Sequence, residues 1–140
     1  ALLDTRAAWL AAQRRTPEQA ERLLAIAQDL RVAANGYDIE AWDRIDQPFH
    51  ETLLDASGNQ FLRRAIEDVR RRLQRITYHL ARQPEHLDSG TDEHVDLARA
   101  IYAGDAEAAA EIQRHHLDTM RTMALKLIRT HIVPVRGERF

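Results

Sequence analysis

Apolar residues recur along this chain every three or four positions, the spacing that gathers them on one face of an α-helix. Leu3, Ala7 and Leu10 make a first short stripe, and Ala20, Leu23, Ala27, Leu30 and Ala34 a second. Between them, Thr16-Pro17-Glu18-Gln19 reads as an N-cap, a proline at the first helical position and a capping-box glutamine. Asn35-Gly36 ends the second helix, Asp38 caps a third, and Ser57-Gly58 stops it. Asn59 opens a long fourth helix with Leu62, Ala65, Val69, Leu73, Ile76 and Leu80 inward, ending at Gln83-Pro84. A loop is expected from there to Ser89-Gly90, where Ser89 with Asp92 restarts a fifth helix that Gly104 closes. Asp105 caps the last and longest helix, which runs to about Ile132 before Pro134. No useful stretch alternates with the period of a strand. The expected fold is all-α, an antiparallel bundle of about six helices over residues 1–133 enclosing a metal or ligand cavity, with a tail at 134–140.

Composition narrows the class. The 140 residues are 44% hydrophobic and 30% charged with a formal net charge of −2, which fits one domain with a proper core. No apolar run approaches the ~20 residues of a membrane span, and Ala1-Leu2-Leu3-Asp4 lacks the features of a signal peptide, so the expectation is a cytoplasmic protein without a membrane partner. The chain contains no cysteine, so any metal must be held by imidazole and carboxylate. Nineteen of the twenty cationic residues are arginine. Their densest cluster, Arg63, Arg64, Arg70, Arg71, Arg72 and Arg75, is offset by Glu67 and Asp68 and reads as solvated helix surface rather than a nucleic-acid site. Starting without methionine and inside a helical pattern, the chain reads as part of something longer.

Candidate chemistry lies in polar residues on apolar stripes. Asp46 and His50, four apart, return to nearly the same azimuth one turn apart, so carboxylate and imidazole can meet one ion. His94 shares a stripe with Leu97, Ala98 and Ile101, and His116 with Ala109, Ile112, Met120 and Met123. His94 lies ten residues before Gly104 and His116 eleven after Asp105, which puts both ~15–17 Å from the turn and level with each other in an antiparallel hairpin. Spacing leaves two readings open: a metal site, or core histidines satisfied by hydrogen bonds. His79, His86, His115 and His131 fall off the main stripes or in loops and read as surface; Met120 and Met123 read as core.

Asp46-Gln47-Pro48-Phe49-His50, Ser57-Gly58-Asn59, Glu93-His94, Ala100-Ile101, Gly104-Asp105, Ala109 and His116-Leu117, in that order and spacing, resemble the effector-binding C-terminal domain of the FadR subfamily of GntR transcriptional regulators, from about Leu3 to Ile132. The resemblance implies a divalent metal, commonly zinc or nickel, on Asp46, His50, His94 and His116, with a small carboxylate effector completing its coordination. It also implies a homodimer, and DNA binding only through an N-terminal winged helix-turn-helix that this chain lacks. Manganese or iron also suits such a donor set.

An arginine should pair the effector's remaining oxygens, and Arg72, flanking the expected inward stripe, is the candidate. Pro48, between Asp46 and His50, departs from an ideal helix and should kink it locally. A metalloenzyme is the first rival, but the chain has no HExxH motif, and Glu93 lies about 100° from His94 on an ideal helix. Paired Glu-x-x-His motifs of a di-iron protein are also missing. The second rival is a structural helical interaction module. The reading is therefore a sensor, not an enzyme.

Overall fold

The computed structural model describes residues 2–132. Six helices follow one another: α1 (Leu2–Arg14), α2 (Pro17–Asn35), α3 (Ile39–Ala56), α4 (Gln60–Ala81), α5 (Pro84–Ala103) and α6 (Ala106–Ile132). No strand occurs among the described residues. The expected stop at Pro134, the tail at 134–140 and the side chain of His131 lie outside what is described.

Capping residues set most boundaries. Thr16 Oγ1 accepts from the Gln19 amide at 3.2 Å while the Gln19 side chain accepts from the Thr16 amide at 2.9 Å, a reciprocal box at the start of α2. Asp38, Asn59 and Asp105 each accept from the backbone three residues on, at 2.9, 3.0 and 2.9 Å. Gly104 ends α5 at φ +76°, a left-handed conformation that favours glycine.

Four fully buried alanines, Ala7, Ala8, Ala11 and Ala12, let α1 lie close against α6, α3 and α5. On the other side α2 packs against α3 and α5 through Leu23, Ala27, Leu30 and Ala34. Phe49 and Ile101, both fully buried, fill the space between these layers. Polar ties supplement the packing: Trp9 Nε1 donates to Glu107 at 3.0 Å, and Trp42 Nε1 donates to Thr91 Oγ1 at 2.8 Å. An ion pair between Arg31 and Asp92 joins α2 to α5.

Three expectations need correction. Residues 84–90 are the first turns of α5, not a loop: Pro84 suits a first turn, and burial of Leu87 and Thr91 outweighs the weak helix preference of Ser89 and Gly90. On α4 the inward residues are Leu62, Ile66 and Leu80, whereas Ala65, Val69 and Leu73 are exposed. That helix carries apolar residues on two faces, and periodicity cannot choose between them. Met120 and Met123 are half-buried rather than core.

Candidate metal centre

Helix α3 presents Asp46 and His50 one turn apart, and α5 brings His94 opposite them. Asp46 Oδ1 lies 3.2 Å from His50 Nε2 and 3.0 Å from His94 Nε2, and the two imidazole nitrogens are 3.3 Å apart. Ligands held ~2.0–2.1 Å from one ion in a tetrahedral site are separated by roughly 3.3–3.4 Å, so this triangle has about the size of one tetrahedral face. Pro48 does not prevent the i, i+4 approach; it lies inside a continuous α3, and its carbonyl accepts from Thr52 Oγ1 at 2.8 Å.

Aromatic packing fixes the rings. Phe49 meets His94 edge-on with centroids 4.8 Å apart and His50 at 5.6 Å, and Trp42 closes on His94 at 5.8 Å. His94 Nδ1 donates to the Gly90 carbonyl at 2.5 Å, which turns its Nε2 toward Asp46. Burial, joined by the charge of Arg70, pushes His50 down to about 3, so it is neutral at pH 7. Burial acts to raise Asp46, but the charge and hydrogen bonds of His50 and His94 outweigh it and hold the carboxyl well below its ordinary range. Asp46 Oδ1 and the Nε2 atoms of His50 and His94 thus face one another across a space in which a cation would meet all three.

His116, on α6, stands outside the tight triangle formed by Asp46, His50 and His94. Its ring meets that of His94 edge-on at 5.1 Å, the level match expected of the hairpin. Glu93 accepts from His116 Nδ1 at 2.5 Å, so the Nε2 lone pair of His116 is also left for a ligand. Glu93 lies 3.6 Å from the exposed His115 as well; burial raises its carboxyl, and the contact with His116 brings it below the ordinary value.

Arg72 points to solvent, its side chain 77% exposed and paired with Asp68 at 3.1 Å. Arg70 reaches the site instead, with Nη2 3.3 Å from Asp46 Oδ2. The error follows from the misjudged face of α4: with Leu62 and Ile66 inward, the next residue in the i, i+4 row is Arg70. Sequence reading also misplaced His86, which is 2% exposed, stacked on His116 at 6.3 Å, and pushed by burial to about 4. Once the helix starts at Pro84, His86, Gly90 and His94 fall in one i, i+4 row; a Cβ on Gly90 would meet the His86 ring at 3.2 Å. Gln113 was missed altogether. It lies one turn before His116, and with His50, Arg70, Asp4 and the apolar Ala7, Leu53, Leu54 and Ile66 it lines a cavity of about 10 Å³, room for roughly one water.

The arrangement suits the binding of an ion: Asp46 is ionised, burial keeps His50 neutral, and Glu93 orients His116. The family model described as FCD domain matches residues 1–119, and no curated protein matches the chain.

Proposed function

Because the chain belongs to the FCD domain family, the C-terminal effector-binding domain of GntR-type transcriptional regulators and not a catalytic family, we propose that it senses a small organic carboxylate through a divalent metal held by Asp46, His50 and His94, with His116 as fourth donor. The observation that carries this reading is the triangle of Asp46, His50 and His94, whose donor atoms lie 3.0–3.3 Å apart, the size of one face of a tetrahedral site. Neutral imidazoles and one carboxylate, without sulfur, suit zinc or nickel, and also manganese or ferrous iron. When bound, the metal would supply a Lewis-acidic position for a carboxylate oxygen.

The residues of the chain do the rest. Gly90 and Glu93 aim the nitrogens of His94 and His116, and Phe49 and Trp42 exclude water behind them. Arg70 pairs with the effector's outer oxygen in place of its long contact to Asp46. Since Arg70 belongs to α4 and Asp46 to α3, a ligand drawing Arg70 away would shift α4 against α3, and so bias how a homodimer of the parent regulator holds its winged-helix domains on DNA.

Isothermal titration tests this with acetate and succinate against zinc- or nickel-loaded protein and against chelator-stripped protein. Saturable binding of at least one acid that needs the metal and weakens about ten-fold or more in Arg70→Met is expected. Equal behaviour of loaded and stripped protein would contradict it.

A further inference from the structure

His50, His94 and His116 are buried, so an ion bound among them must be handed in from the surface. Two sides of the site come near solvent. On the α3–α4 side Asp46 is fronted by Arg70, whose guanidinium 3.3 Å from Oδ2 opposes an approaching dication. On the α5–α6 side the groups run from open to closed: the side chain of His115 is 70% exposed, that of Glu93 14% and that of His116 7%. Glu93 joins the three, with Oε1 3.6 Å from His115 Nε2 and Oε2 2.5 Å from His116 Nδ1, and the His116 ring in turn meets that of His94 at 5.1 Å. Resting on the metal-centre reading above, we infer that Glu93 and His115 form an outer site for a divalent cation, through which the ion enters and leaves the buried centre.

Donor chemistry and charge both fit that role. A carboxylate and an imidazole on facing helices are the same donor types as the inner set, and their 3.6 Å separation is close to the roughly 3.3–3.4 Å between donors that share one ion. His115 also borders a surface cleft of about 300 Å³ with Asp118, Thr119, Thr122 and Met123, room for the waters that an exposed ion keeps. Within one turn of His115 on α6 the charged residues are Glu111, Arg114 and Asp118, and Arg114 is shared by the other two at 3.0 and 3.1 Å. With Glu93 across from them, the mouth is negative on balance, which draws cations in. The inward step follows from Glu93 having two claims on it. A cation held by Glu93 competes with the Nδ1 hydrogen of His116 for the same carboxylate, and loosening that bond lets the His116 ring turn aside. Once Glu93 gives up the cation to Asp46, His50 and His94, it takes the Nδ1 hydrogen back and aims His116 Nε2 again. Because the outer site lies on the path and not at its end, it speeds entry and exit alike and leaves the equilibrium where it was.

The test is kinetic. Stopped-flow mixing of metal-free protein with zinc and a fluorescent zinc indicator gives the uptake rate, mixing of zinc-loaded protein with excess chelator gives the release rate, and indicator competition gives the affinity. His115→Ala, at a position open enough not to disturb the fold, should slow uptake and release together by about ten-fold, the scale on which one supporting group beside a metal acts, with affinity level. His79→Ala, which removes an exposed histidine on α4, should change none of the three. Unchanged rates in His115→Ala would overturn the outer site and leave the buried centre intact, as would an equal slowing in His79→Ala. A weaker affinity in His115→Ala with release no slower would make His115 a donor to the resident ion and overturn its role in transit. A wild-type protein that takes up no zinc would overturn both the centre and its route.

Discussion

Glu93 decides which nitrogen of His116 is left to bind a ligand, because its carboxylate takes the Nδ1 hydrogen at 2.5 Å. Glu93→Gln keeps the size but weakens that preference, so zinc affinity should drop by about 10–100-fold with the fold unchanged by circular dichroism; a chelator competition giving wild-type affinity would count against the role. His86 carries a different consequence. Burial lowers it from its ordinary value to about 4, and burial also lowers His50, to about 3, and His116. Folding therefore excludes protons that the unfolded chain accepts below about pH 6.5. Stability is at its full value above that pH and is lost as pH falls toward 4, at about 1.4 kcal/mol per pH unit for each histidine kept neutral. Urea unfolding of metal-free protein between pH 7 and 4.5 should show that slope, and His86→Leu should flatten it by one proton's worth. An unaltered slope in the variant would show that His86 does not resist protonation.

The helices owe their order to small residues and caps as much as to large apolar ones. Ala11 on α1 is fully buried among close neighbours, so Ala11→Leu should destabilise the domain by about 1–3 kcal/mol in urea unfolding; a neutral result would mean that α1 is loosely seated. Much of this level was legible in the chain. The stripe of α2 is buried at Ala20, Leu23, Ala27, Leu30 and Ala34 as read, and Thr16, Asp38, Asn59 and Asp105 cap as expected, because caps and single-face stripes are local physics. The start of α5 was not, because residues 84–90 become helical through burial of Leu87 and Thr91 against the rest of the bundle. The same tertiary choice turned α4, replacing Arg72 by Arg70 at the site, and drew His86 inside. That Asp46, His50 and His94 converge was legible from sequence, because i, i+4 spacing and an unusual polar residue on an apolar stripe are both visible there. Gln113 and Arg70 gave no such signal: each becomes notable only through what lies across the bundle.

In the whole molecule, α3, α5 and α6 each contribute a proposed donor, so one ion would tie α3 to the α5–α6 hairpin. Anything that binds the folded state alone stabilises it, by about 4 kcal/mol at a thousand times its dissociation constant. No helix among the described residues is long and apolar enough to cross a membrane. The most direct measurement is elemental analysis of tag-free protein, as purified and after reconstitution with zinc, nickel or manganese, alongside His94→Ala and His116→Ala. Close to one metal per chain in the wild type, falling in both variants, is the expected result. A wild-type chain that holds no metal even after reconstitution would contradict the account and leave the buried histidines as structural residues of a helical module.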